Sequence, residues 1–168
     1  MRRREIRLYN MIIPVWLLWM FAPLFPWVLP VTLLGNLLID TAVLFCALLA
    51  LGRRDKRRVM KHMWRRIWLR GFIGDAAGVL WLSVSLIWSR GGDSFWAQGM
   101  ACVLRNPFRH PLAFFWTLAG VALSGVCIYA MDRVTLEWEG ELTDREARIA
   151  ALTLAIVTAP WTFFIPMG

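Results

Sequence analysis

Apolar residues come in long runs along this chain, and the polar positions between them gather into short blocks. Runs of about twenty apolar residues predict helices long enough to cross a hydrocarbon layer of about 30 Å. Five are expected, at residues 8–25, 31–51, 71–88, 112–131 and 149–166. Prolines punctuate them. Pro14 should kink the first run, Pro23, Pro26 and Pro30 should end it, and Pro160 should kink the last. Thr143 and Glu146 spell the S/T-x-x-E capping box, which places the start of the last helix near Thr143. Residues 95–104 are apolar but too short to cross, and read as a surface helix or a re-entrant piece.

The largest polar block, residues 53–70, has its own pattern. Met60, Met63, Trp64, Ile67 and Trp68 recur at helical spacing, while Lys61, His62, Arg65 and Arg66 project elsewhere. That is the signature of a basic amphipathic helix lying on a membrane surface. Lys61, Trp64, Arg65, Arg66 and Trp68 are its candidate contacts to the bilayer and to anionic lipids. The predicted fold is therefore all-α: a polytopic integral membrane bundle of about five transmembrane helices plus a basic amphipathic interfacial helix, with residues 1–168 as one domain.

Composition strengthens this picture. The chain is 59% apolar, with 11 Trp and 10 Phe, and its mean hydropathy is +0.56. Soluble domains sit nearer 45–50% apolar. The net charge of +8 equals the excess within 53–70 alone, where nine Lys or Arg face one acid, Asp55. A pI of about 10.7 is typical of nucleic-acid binders. This basic block, however, stands between two apolar runs, where positive charge sets topology. No nucleic-acid partner is expected.

Counting Lys and Arg beside the runs gives orientation. Arg2, Arg3, Arg4 and Arg7 precede the first run, none lies between the first and second, and each later connection beyond 53–70 holds three. Five spans of a bacterial-type cell inner membrane then put the N-terminus in the cytoplasm and the C-terminus outside. Trp27, Trp88 and Trp161 fall at the expected outer interface, and Trp64, Trp68 and Trp138 at the inner one. Trp16, Trp81 and Trp116 read as packing residues. The basic and apolar start of the chain has no small-x-small cleavage site, so it is expected to stay as the first span.

Chemistry is sparse. Cys46, Cys102 and Cys127 have no disulfide or metal-knuckle spacing. No Ser/His/Asp arrangement, phosphate loop, haem or zinc spacing occurs. No cofactor and no metal are expected, and catalysis is not the leading reading. His110, in RNPFRHP, belongs to a Pro-bounded loop. Asp132 and Arg133 read as an interface pair at the end of the fourth run. Glu137, Glu139, Glu141 and Asp144 are placed to pair with the basic helix.

Three polar residues intrude into apolar runs. Asn36 and Asp40 are one helical turn apart and share a face with Thr32, Val43 and Ala47. In the third run Gly71, Asp75, Gly78 and Ser85 share a face, and Gly74 with Gly78 makes GxxxG, which lets backbones approach closely. A carboxylate at membrane depth costs at least about 2.5–3.5 kcal/mol, so it faces protein or water, pairs, or carries a proton. Asn36, Asp40 and Asp75 are the candidate substrate- or ion-binding residues.

Two short resemblances accompany them. Ile39-Asp40 with Gly71-Phe72-Ile73-Gly74-Asp75 resembles the YD and GxGD motifs of intramembrane aspartyl proteases, with Ile39 in place of Tyr and Phe72 in place of the first Gly. That resemblance implies a pair of catalytic aspartates. Measured from Arg53 and Arg70 as the membrane edge, however, the two carboxyls differ in depth by about 12 Å, too far to share a proton. GFIGDAAG, residues 71–78, resembles the Gly-rich G-x-x-x-D-x-x-G segments of vitamin-uptake substrate-binding subunits, which partner with ATPases.

The expected function is transport or binding of a small solute or ion through the polar stripe, by a homo-oligomer or with another membrane subunit. The alternative is a non-catalytic accessory or scaffolding subunit of a larger membrane complex. A membrane-embedded enzyme such as an aspartyl protease stands third.

Overall fold

The computed structural model describes residues 28–89, 94–139 and 142–166. The first expected span, 8–25, and Trp27 lie outside them. Every regular element among the described residues is helical: α1 (Val28–Ala50), α2 (Lys56–Trp88), α3 (Phe95–Val103), α4 (Pro111–Trp138) and α5 (Asp144–Val157), with 3-10 turns at Pro107–Arg109 and Trp161–Phe164. Four segments are long and apolar enough to cross a membrane: Leu33–Ala50, Lys56–Trp88, Pro111–Trp138 and Asp144–Phe164.

α1 stops where Gly52 takes φ 69°, with the N–H groups of Gly52 and Arg53 bonding the carbonyls of Leu49 and Leu48. α2 then runs unbroken for 33 residues, about 50 Å. Here the structure differs from the sequence reading. No boundary separates the basic segment 53–70 from the run 71–88, and the expected surface-lying helix is the first half of a long bundle helix. Val59, Met63 and Ile67 continue the buried line of Gly71, Gly74, Asp75 and Gly78. They pack on Leu44, Leu48, Ile128, Leu136 and Leu154. Met63 and Ile67, members of the apolar stripe expected to face the membrane, are only 1% exposed. Burying this stripe against three neighbours outweighs laying it on a surface.

α3 begins at Ser94, whose hydroxyl accepts the Ala97 N–H, and forms the short helix expected over 95–104. His110 Nδ1 accepts the Leu112 N–H and so caps α4, with Pro111 opening the helix. α5 has the full capping box expected at Thr143 and Glu146. It runs 14 residues, about 21 Å, and then stops. The expected kink at Pro160 is a break: Thr158 closes α5, with its N–H and hydroxyl both donating to the Leu154 carbonyl, at 2.8 and 2.9 Å. The chain resumes as the 3-10 turn at Trp161.

α1 packs on α2 and α5, α2 on α4, and α4 on α5, closing a ring of four helices; α3 covers α2 and α4 at the end away from the basic loop. Trp81 and Trp116 stack at 4.5 Å, with the Trp81 indole donating to the Trp116 carbonyl at 3.1 Å. Both are packing residues, as expected.

The interior has two apolar clusters. One surrounds Leu44, Met63 and Leu154 toward the basic end; the other surrounds Leu82, Met100 and Phe163. Large apolar side chains face outward, with Leu38, Leu80 and Ile87 about 70% exposed.

Candidate functional site

Three aspartates lie inside this ring: Asp40 on α1, Asp75 on α2 and Asp132 on α4, exposed by 2%, 5% and 0%. α1 and α2 run antiparallel, which sets Asp40 level with Gly71 and Asn36 level with Asp75. The Asn36 side-chain amide reaches Asp75 Oδ2 at 3.5 Å. A side chain at position 71 would collide with the Asp40 carboxyl, so Gly71 is what lets that carboxyl lie against the α2 backbone.

Gly74 and Gly78 serve a different neighbour from Gly71. A Cβ at Gly74 would meet Ile128 and the Ser124 carbonyl, and one at Gly78 would meet Ser124 Oγ, the Gly120 carbonyl and Phe163. The small-residue stripe therefore faces two ways: Gly71 and Asp75 turn to α1, and Gly74 and Gly78 admit α4.

The carboxyls are short of hydrogen bonds. Among the described residues, both oxygens of Asp40, both of Asp132 and Oδ1 of Asp75 are buried without a partner, as are the hydroxyls of Thr117 and Ser124. Thr158 lies beside Asp40, but its hydroxyl donates to Leu154. Asp40 acts electrostatically on both Asp75 and Asp132, and Arg70 on Asp132. The Arg70 guanidinium donates to the Met131 carbonyl at 2.9 Å, which holds it one residue from Asp132.

A cleft of about 380 Å³ opens beside the cluster, lined by Asn36, Asp75, Thr158 and Trp161 among others. It exists because α5 stops. A helix end leaves its last carbonyls without donors from the following turn. Here Leu154 is capped by Thr158, and the Trp161 indole donates to the Ile156 carbonyl at 2.9 Å.

Of the three residues predicted for an ion or solute site, Asn36 and Asp75 line this cleft, and Asp40 does not. Among the described residues, no group of three His, Cys, Asp or Glu is placed to hold a metal ion. Pairing of α1 with α2 sets Asp40 level with Gly71, one turn from Asp75, so the expected depth difference of about 12 Å shrinks to about 6 Å. Even so, the two carboxyls do not share a hydrogen bond: Asp40 has none and Asp75 Oδ2 meets Asn36.

Asp132 corrects a second expectation. It is not an interface pair with Arg133, which bonds Asp144 at 3.2 Å instead. The signal was the four-residue spacing of Gly120, Ser124, Ile128 and Asp132, which puts the acid on the packed face of α4. Arg70 and Thr158 also escaped the sequence reading. Arg70 is the last cation of the basic block and Thr158 stands in an apolar run; α2 register and the α5 break bring them to the acids.

The basic residues sit elsewhere. Lys61, His62, Arg65, Arg66 and Trp68 line a hollow of about 550 Å³ on the outer side of α2, and Trp64 lies on its flank. Of the expected acidic contacts, Arg66 pairs with Glu139, whereas Asp144 pairs with Arg133 and Arg148; Arg53, ahead of the helix, pairs with Glu146 at 3.4 Å, which was not expected. Glu141 lies outside the described residues. No protein-family model, curated protein or solved structure matches this chain.

Proposed function

We propose that the chain is a multi-pass membrane protein that binds and passes protons through the acid cluster Asp75, Asp40 and Asp132. Support for membrane insertion comes from the inverted distribution of side chains. Leucines and isoleucines cover the outside, while three aspartates are inside. Four segments are long and apolar enough to cross a bilayer core. The Lys and Arg count supports an orientation with 53–58 and the N-terminus on the cytoplasmic side of a cell inner membrane.

The observation that carries proton binding is the set of five unpartnered carboxyl oxygens on three buried aspartates. An ionised carboxylate buried without a partner costs several kcal/mol. With Arg70 as the basic neighbour, the cluster is best balanced with protons aboard. Asn36 and Asp75 at the cleft form the entrance, and Asp40 and Asp132 the interior. Chains of acids inside membrane helices mark proton relays. A helix broken where it lines a cavity is the companion feature in transporters.

The test is proton flux in proteoliposomes under an imposed potential. Asp40→Asn, Asp75→Asn and Asp132→Asn should each lower flux at least tenfold with the protein still folded. Wild-type flux in all three variants would end the proposal.

One observation favours a different reading. The contact of Asp40 with Gly71 is close and buried, as in a seam that braces helices. On that reading the protein is an accessory subunit docking another membrane protein or a second copy. Unchanged flux together with loss of a stable complex in Asp40→Asn would favour it.

A further inference from the structure

We propose that the outer side of α1 and α2 binds an anionic, phosphate-bearing amphiphile, with its headgroup on Lys61 and Arg65 and its hydrocarbon chain between the two helices. Two adjacent hollows carry this inference. The basic one holds Lys61, His62, Arg65, Arg66, Trp68 and Leu69 in about 550 Å³. The second, about 560 Å³, lies between α1 and α2 and is apolar, with walls that include Leu38, Ala42, Phe45, Met60 and Trp64.

Two tryptophans form the divide. The Arg65 guanidinium lies over the Trp64 ring, 5.8 Å from its centre, and Trp64 also lines the apolar hollow. Trp68 lines the basic hollow, and its indole N–H is held by the Leu33 carbonyl of α1 at 3.1 Å. That bond ties the floor of the basic hollow to the helix that walls the apolar one.

The cations differ in commitment. Arg66 is paired with Glu139. Among the described residues, Lys61 and Arg65 have no acidic partner. Two uncommitted cations, one a planar guanidinium suited to phosphate oxygens, call for an anion. The adjoining hollow offers almost no polar surface, so its occupant is hydrocarbon. One molecule satisfies both hollows only if it carries a phosphate and a long chain. The acid cluster plays no part in this site.

The test uses the full chain in neutral detergent and three probes: phosphatidylglycerol, phosphatidylcholine and inorganic phosphate, with binding read by native mass spectrometry and by competition. Phosphatidylglycerol should bind at least tenfold tighter than phosphatidylcholine, and inorganic phosphate should fail to displace it. Lys61→Gln with Arg65→Gln should lower phosphatidylglycerol affinity about thirtyfold, the combined effect of two cations near an anionic surface. Ala42→Trp, which fills the apolar hollow from an exposed position, should lower affinity for both lipids at least fivefold. These positions are exposed, so the fold tolerates the changes. Equal affinity for the two lipids, displacement by inorganic phosphate, or unchanged phosphatidylglycerol binding in Ala42→Trp would each overturn the proposal.

Discussion

The carboxyl of Asp40 fills the space that a side chain at Gly71 would need: a Cβ there would stand 2.8 Å from Asp40 Oδ2. Glycine at 71 therefore sets where that carboxyl rests. Gly71→Ala must rotate the Asp40 side chain, which is a movable obstacle. The variant also gains about 1 kcal/mol of helix propensity. Stability in detergent should thus change by less than about 1 kcal/mol, while proton flux falls severalfold. Thermal melting and the proteoliposome assay separate the two effects. Unaltered flux would mean that the position of Asp40 does not matter.

The other glycines of the bundle should behave differently, because their obstacles differ. At Gly78 an added methyl meets the Gly120 carbonyl at 2.9 Å as well as Phe163, and backbone cannot rotate away. Gly74 faces Ile128 and, at 3.2 Å, the Ser124 carbonyl. Overpacking of this kind costs about 1–3 kcal/mol. Gly35 has nothing within 4 Å, so Gly35→Ala should be neutral or stabilising by up to about 1 kcal/mol. Melting temperatures should fall in the order Gly35→Ala, Gly74→Ala, Gly78→Ala. A Gly78→Ala protein as stable as wild type would contradict the close approach of α2 and α4.

The helices were legible because their apolar runs are long and their caps are written locally. Thr143 with Glu146 marks α5, and the Pro111 region opens α4. The 70/71 boundary was misplaced for a physical reason. Charge density changes at Arg70, but helix formation does not depend on it, and the stripe of Val59, Met63 and Ile67 runs on into Gly71. Asn36, Asp40 and Asp75 stood out as polar residues in apolar runs. Asp132 was masked by its neighbour Arg133, and Thr158 by sitting among residues that a continuous helix would have turned to other uses. Pairing between helices is a long-range property. The four-residue spacings gave each face but not which face meets which.

The capping box at the start of α5 offers a local test. The Thr143 hydroxyl accepts the Glu146 N–H at 3.4 Å, and Glu146 Oε2 accepts the Thr143 N–H at 2.9 Å and also meets Arg53. Thr143→Ala removes the hydroxyl and should cost about 1 kcal/mol. Thr143→Ser should keep nearly all of it. Chemical denaturation in mild detergent reads the difference. Equal losses in the two variants would show that the hydroxyl is not what matters.

Arg70 and Asp132 should be energetically coupled, and the coupling has a definite sign. Arg70 is anchored on the Met131 carbonyl and acts on the buried Asp132. Arg70→Gln removes a bond from a charged donor, a loss of about 1.5–3 kcal/mol. It also leaves Asp132 without its basic neighbour, and a buried charge stripped of its partner is strongly destabilising. Asp132→Asn removes that second penalty in advance. The double variant should therefore be more stable than the sum of the single losses predicts, by about 0.5–3 kcal/mol. A thermodynamic cycle on the four proteins measures it. Strict additivity would mean that Arg70 serves only the backbone of α4, and that the charge balance of the acid cluster is set by its own protons alone.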